Sequence, residues 1–260
     1  MYVGNMADRI PEIGELLSLQ GKRVLVTGAA KGIGFAITGR LLEAGAQVVA
    51  HYRSDTGGLS DLQDTAGDRL MLVKGNLDSV EHVQQVLDQL EGPELHGIVN
   101  NAADQHLGQL AEIEPEQWRA VMAVNLDAVF QICQWAQQHV GAGGSVVNIS
   151  SIEGSDPAPA HGHYATSKAG MNMLTKAFAL ESGSQDLRFN SVAPGLIYRE
   201  GIEEGWPEGV ARWRDKAPLQ RLGQGADIAD AVLFLLGSAS RWITGTQLVV
   251  DGGMSTQSRW

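Results

Sequence analysis

Between Arg23 and Val250 the chain alternates short β-rich runs with longer amphipathic stretches, and this alternation restricts the possible folds more than any other feature. Strands are predicted over Arg23–Gly28, Gln47–Tyr52, Arg69–Lys74, His96–Asn100, Ser145–Ser150, Arg188–Ala193 and Gln247–Val250. Helices are predicted over Ile33–Ala44, Ser79–Glu91, Pro115–His139, Gly162–Ser182 and Ala226–Leu236. Several of the β-rich runs are almost uninterrupted Val, Ile and Leu, the pattern of parallel strands covered on both faces. Repeated βα units require right-handed crossovers, so the expected fold class is α/β, an open doubly wound sheet of seven parallel strands flanked by helices on both faces. No Pro/Ser-rich linker interrupts the alternation, and residues 1–260 are expected to form one domain. Two segments break the rhythm, Glu153–His163 and Leu196–Gly225. Long loops at the carboxyl ends of parallel strands bind ligands, which makes residues 196–225 the expected substrate loop.

Composition narrows the function classes. Nineteen Lys and Arg against thirty Asp and Glu leave a net charge of -11, which argues against nucleic acid or an anionic membrane as partner. Cys133 is the single cysteine, so neither an internal disulfide nor a cysteine metal cluster is available. Met1–Gln20 shows no basic-then-apolar pattern and no apolar run reaches the ~18 residues of a membrane span, so a cytoplasmic protein is expected.

Directly after the first strand comes Thr27-Gly28-Ala29-Ala30-Lys31-Gly32-Ile33-Gly34, opening the first helix. Glycines there permit a tight turn and close approach of a ligand to the backbone, while the helix N-terminus offers free N–H groups to a pyrophosphate. The spacing is Gly-x-x-x-Gly-x-Gly and not the commoner Gly-x-Gly-x-x-Gly. Further along come Asn100-Asn101-Ala102-Ala103, Asn125 within an apolar helix, Ser151, Tyr164-x-x-x-Lys168 and Pro194-Gly195. With this combination, from about Leu19 to Gly253, the chain resembles the classical short-chain dehydrogenase/reductase family.

The resemblance implies a Rossmann-type domain, a nicotinamide dinucleotide cofactor and a small-molecule carbonyl or alcohol substrate. Cofactor contacts are expected from Gly28, Lys31, Gly32, Ile33, Gly34, Arg53, Ser54, Asn76, Leu77, Asn101, Ala102, Tyr164, Lys168, Pro194, Gly195 and Ile197. NAD-preferring members usually carry a carboxylate at the end of the second strand; Tyr52 stands there, followed by Arg53 and Ser54, with Lys31 in the glycine turn. Two cations and a hydroxyl suit a 2′-phosphate, so NADP(H) is expected in preference to NAD(H). Asn76 replaces the usual aspartate near the adenine.

Tyr164 and Lys168 are four apart and share a helix face. A free tyrosine has a pKa of ~10; a neighbouring ammonium stabilises the phenolate and makes it a serviceable general acid or base. By resemblance, Ser151 orients the substrate oxygen, Asn125 binds a water that relays protons to Lys168, and Lys168 also holds the nicotinamide ribose. Ser150 adjoins Ser151, but strand alternation sends it the opposite way. Hydride passes directly between cofactor and substrate, so no metal is expected; His161 and His163 flank Tyr164 without a further ligand cluster. Gln105, His106 and His161 are placed at the cleft. Arg199 stands where the family often has a threonine, either turned to substrate or paired with Glu200, Glu203 or Glu204. Trp206 and Trp213 form either a lid or packing against the body. The resemblance further implies a homotetramer, or a dimer. Two rivals remain: an NAD-dependent catabolic alcohol or sugar dehydrogenase of the same family, and a catalytically inactive dinucleotide-binding sensor or scaffold.

Overall fold

The computed structural model describes residues 10–90 and 92–256. In chain order the elements are β1 (Arg23–Val26), α1 (Gly32–Glu43), β2 (Gln47–Tyr52), α2 (Leu59–Ala66), β3 (Leu70–Lys74), α3 (Val80–Leu87), β4 (Leu95–Asn100), α4 (Pro115–Met122), α5 (Ala128–His139), β5 (Val140–Ile149), α6 (Gly162–Ser182), β6 (Arg188–Pro194), α7 (Ile202–Gly205), α8 (Pro207–Lys216), α9 (Gly225–Leu236) and β7 (Gln247–Val250). The strands form one sheet in the order β3-β2-β1-β4-β5-β6-β7, and every pairing is parallel.

Strand alternation divides the core between the two faces. Val24, Val26 and Val147 point to one side, where they meet Ile37 and Leu41 of α1 and Ile228 and Val232 of α9. Leu25 and Val146 point to the other, against Val83 of α3, Ile132 of α5 and Met171 and Phe178 of α6. Both faces are therefore apolar, which is why the strands read as continuous hydrophobic runs. Burying each such side chain contributes roughly 1.5–3 kcal/mol before chain entropy is counted. Because β1 lies between β2 and β4, the chain winds outward in two directions from it. The crevice at the carboxyl ends of β1 and β4 is the switch point at which open α/β sheets bind ligands.

Several boundaries differ from expectation. The helix expected over Pro115–His139 is broken by a π-helical turn at Ala123–Asp127, which carries Asn125. An extra residue in one turn shifts the face that follows, and such turns recur at functional sites. The fifth strand begins at Val140 and not at Ser145. Ser79 is the cap of α3, its hydroxyl accepting the His82 N–H at 3.2 Å, and the expected helix end at Glu91 lies outside the described residues, as does Met1–Arg9 of the N-terminal segment. Helix α2 escaped the periodicity because it buries Leu59 alone. The expected substrate loop, residues 196–225, is not irregular: it holds α7 and α8, which pack Ile202, Val210 and Leu222 against Leu196 and Trp213 in a small core of their own.

Candidate active site

The glycine turn is built for close approach. Gly28 and Gly32 have φ of +64° and +56°, where a side chain would be strained. A Cβ on Gly28 would lie 2.9 Å from the Ala102 Cα, whereas the space beside Gly32 is open to 4 Å. Helix α1 begins at Gly32 without a side-chain cap, which leaves its first N–H groups for a ligand. The turn is tied down from beneath. Thr27 Oγ1 accepts the backbone N–H groups of Asn101 (2.9 Å) and Ala102 (3.0 Å), and the Asn101 amide donates to the Thr27 and Gly28 carbonyls at 2.9 and 3.0 Å. An open, left-handed glycine before an uncapped helix, opposite β4, fits a dinucleotide pyrophosphate.

His51 is a further member of this turn that its sequence position did not reveal. Its Nδ1 accepts the Gly28 N–H at 3.3 Å, its carbonyl accepts the Ala29 N–H at 2.8 Å, and its Nε2 lies 3.2 Å from the Gly75 carbonyl. Burial lowers its pKa to about 4, so the ring is neutral, with Nε2–H donating to Gly75 and Nδ1 accepting. The imidazole thus joins the glycine turn to the loop after β3. In that loop the Asn76 amide is engaged locally, donating to Asp78 at 2.6 Å and accepting the Leu77 N–H at 2.9 Å. Lys31, Arg53 and Ser54 are exposed around the same turn. Gly34 packs so tightly that a Cβ there would collide with the Gly28 carbonyl and the Asn101 amide. Gly34→Ala is accordingly expected to cost ~1–3 kcal/mol and to weaken dinucleotide affinity about tenfold, read by thermal unfolding and fluorescence titration; unchanged values would show that the turn yields freely.

Tyr164 and Lys168 sit in the first turns of α6, beneath the carboxyl ends of β4 and β5. Tyr164 is 4% exposed and Lys168 1%. The phenol oxygen receives the Gln105 amide at 3.1 Å, and the Ser151 hydroxyl lies near enough to favour its charged form. Ser151 also caps the short 3-10 turn at Ile152–Gly154, its Oγ accepting the Glu153 N–H at 3.1 Å. Ser150 is directed away, its hydroxyl toward the Lys168 carbonyl at 3.4 Å. Lys168 Nζ donates to the Ile149 carbonyl at 2.7 Å and lies 5.6 Å from the Tyr164 ring centre.

The electrostatics differ from expectation. Burial pushes the Tyr164 phenol up to about 12, against the lowering by Gln105 and Ser151, and Glu153 raises it further. Burial also pushes the Lys168 ammonium down to about 7. The lowered phenol expected from the Tyr-x-x-x-Lys spacing is therefore absent in the protein alone: desolvation drives both groups toward their neutral forms. Any cation or hydrogen-bond donor brought into the crevice favours the phenolate.

Asn125 is fully buried, and its amide joins two elements: Oδ1 accepts the Asp104 N–H at 2.7 Å while Nδ2 donates to the Asp104 carbonyl (2.9 Å) and to Ser167 Oγ (3.0 Å). His106 pairs with Asp104, and His161 with Glu153 at 2.8 Å. The His161 ring centre lies 5.7 Å from that of Tyr164. Pro194 ends β6, and Gly195 donates its N–H to Val250 while lying under the Trp213 ring. Ile197 bridges to Gly223. Trp213 donates to the Arg221 carbonyl at 3.2 Å, so it packs on the body, whereas Trp206 is half exposed beside Arg212. Arg199 is exposed; of the carboxylates considered for it, Glu203 is held by Arg214 at 2.6 Å. Among the described residues no three His, Cys, Asp or Glu side chains gather as a metal site, and no helix is long and apolar enough to cross a membrane.

A parallel sheet whose switch point holds a glycine cradle beside a buried phenol–amine pair defines a dinucleotide-dependent oxidoreductase. Comparison with known proteins agrees. Residues 28–255 match the family model described as enoyl-(acyl carrier protein) reductase. The chain is 35% identical over 241 residues to an L-xylulose reductase of Caenorhabditis elegans, covering 90% of this chain and 96% of the relative. It is 34% identical to a 3-oxoacyl-[acyl-carrier-protein] reductase of Thermotoga maritima, covering 92% and 99%. Among solved structures, a gluconate 5-dehydrogenase from Burkholderia cenocepacia in complex with NADP and tartrate superposes with a TM-score of 0.86 at 28% identity, covering 95% of this chain and 100% of that one. The chain belongs to the classical short-chain dehydrogenase/reductase family, and is an enzyme acting on CH–OH or carbonyl groups.

Proposed function

We propose that the protein transfers hydride between NADP(H) and the carbonyl or secondary alcohol of a small molecule, with Tyr164 as general acid and base. The observation that carries this reading is the buried phenol at the switch point, with the Gln105 amide on its oxygen, Ser151 beside it and the glycine cradle across the crevice. The bound nicotinamide would supply or accept the hydride, so the protein has to orient the substrate and move one proton. Ser151 positions the substrate oxygen against Tyr164, which donates its proton in reduction and takes it back in oxidation. Lys168 holds the ribose and favours the phenolate, and Asn125 fixes the loop above. One domain, expected to be cytoplasmic, carries the whole reaction.

Preference for the phosphorylated dinucleotide rests on charge. Asp55 is the carboxylate nearest in sequence to the end of β2, and it turns into its own loop, accepting the Gly57 N–H at 2.9 Å. Arg53 and Lys31 are left as the exposed charges flanking the turn. One charge-assisted bond contributes ~1.5–3 kcal/mol, so NADPH is expected to bind about tenfold or more tighter than NADH, and Arg53→Ala to remove most of that difference. Side-by-side fluorescence titrations decide it; equal affinities would refute the preference, and binding of neither would favour a scaffold. Related structures described with NADP or NADPH bound support the same reading. Phe130, Met173 and Leu180 on α5 and α6, and Val249 and Trp242 in and before β7, are exposed large apolar side chains, which supports a homotetramer or a dimer.

A further inference from the structure

We infer that Gln105 tunes the Tyr164 acid–base group. The inference rests on the proposed role of Tyr164 and adds a residue to it. Three observations carry it.

The first is the contact itself: Gln105 Nε2 donates to the Tyr164 oxygen at 3.1 Å. An amide N–H on a phenol oxygen favours the charged form and leaves the phenol's own proton free for a second partner. The second is what holds Gln105 in place. It is exposed and follows β4 in an irregular segment, a setting in which a long side chain would normally sample many rotamers. Here the preceding residue is clamped at both backbone groups, since Asn125 binds the Asp104 N–H and carbonyl together. Downstream, the Gly108 N–H donates to the Ala160 carbonyl at 2.9 Å, tying the segment to the stretch just before α6. The third is the π-helical turn at Ala123–Asp127, which places a fully buried Asn125 against Asp104 on one side and Ser167 of α6 on the other. Ser167 in turn donates to the Tyr164 carbonyl at 2.7 Å, so the amide that fixes the Asp104 backbone, next to Gln105, also touches the helix turn bearing the phenol.

The other polar and charged groups around the phenol are accounted for. Ser151 reaches it from the end of β5, the Glu153 carboxylate opposes its ionisation, and His161 stands beside its ring in a pair with Glu153. Lys168 lies below, bonded to Ile149. Gln105 is the donor on the solvent side of the oxygen, so its N–H bears directly on the phenolate.

The test is Gln105→Met, which keeps length and removes the donor, measured beside Tyr164→Phe and the wild type. Loss of one neutral donor should move the Tyr164 limb of the kcat/KM–pH profile upward by about half a unit to one unit in both reaction directions. At neutral pH this slows alcohol oxidation about three- to tenfold, while KM stays within about twofold. Gln105→Glu should move the limb further upward by placing a carboxylate on the phenol, and Asn125→Ala should move it in the same direction as Gln105→Met. If Tyr164→Phe is inactive but the Gln105→Met limb does not move, or KM alone rises, Gln105 is a substrate contact and the inference fails by itself. Faster turnover in Gln105→Met would make it a cap that substrate must displace, which also refutes the inference. Retained activity in Tyr164→Phe would sink the acid–base reading and this inference with it.

Discussion

Tyr164→Phe is expected to lower turnover by about 10²–10⁴-fold, the usual contribution of a positioned general acid or base. Only the hydroxyl is removed, so the ring keeps its place beside His161 and above the Lys168 stem. Ser151 and Gln105 then lose their shared partner, and no other proton-transferring group has been placed on the substrate oxygen. NADPH affinity should change less than about threefold, because the glycine turn, His51 and Asn101 that shape the pyrophosphate site are far along the chain and untouched. The comparison is steady-state turnover of a carbonyl that the wild type reduces, with NADPH titration of both proteins. Turnover within tenfold of wild type would assign the proton to another group.

Lys168→Met is expected to abolish measurable turnover and yet to stabilise the cofactor-free protein. The ammonium is fully enclosed, and burial lowers its pKa from 10.5 to about 7. Between those two values the unfolded chain holds a proton that the folded protein does not, so stability rises with pH across that window. Below about pH 7 both states are protonated and the folded state bears the whole cost of the buried charge, of the order of a few kcal/mol. Met fills the same volume without charge, although it leaves the Ile149 carbonyl without its 2.7 Å donor. The gain in melting temperature over wild type should therefore be largest near pH 6 and shrink steadily toward pH 10. Equal melting temperatures at all pH values would show that Lys168 is not held against a desolvation penalty. Together the two substitutions separate the group that moves the proton from the buried amine that is held beside it at a cost in stability.

What could be read along the chain is governed by local rules. Continuous apolar runs such as Val24–Val26 and Val146–Val147 announced strands covered on both faces, and the split of their side chains between α1 with α9 and α3 with α5 and α6 follows from a repeat of two. The Tyr164/Lys168 pair and the glycine turn were legible for the same reason: their partners lie within one turn of helix or one tight bend. Helix α2 was missed because its single buried residue, Leu59, leaves no periodic signal. Helices α7 and α8 were missed because prolines and charges mask a core of three buried residues.

The sequence by itself determined the class of the sheet, seven parallel strands in a doubly wound α/β fold, and, through the resemblance its combined motifs carry, the glycine turn and the phenol–amine pair; the strand order came from the structure. Only the tertiary structure decided how those groups behave. The phenol is raised and not lowered because burial, which no local pattern records, outweighs the hydrogen bonding of Gln105 and Ser151, while the nearby amine is itself desolvated. His51 under the glycine turn, Asn125 on Asp104 and Gln105 on Tyr164 join residues 23, 21 and 59 positions apart. Such contacts exist only once parallel strands have brought their carboxyl ends together, because a hydrogen bond is set by position in space and not by order along the chain.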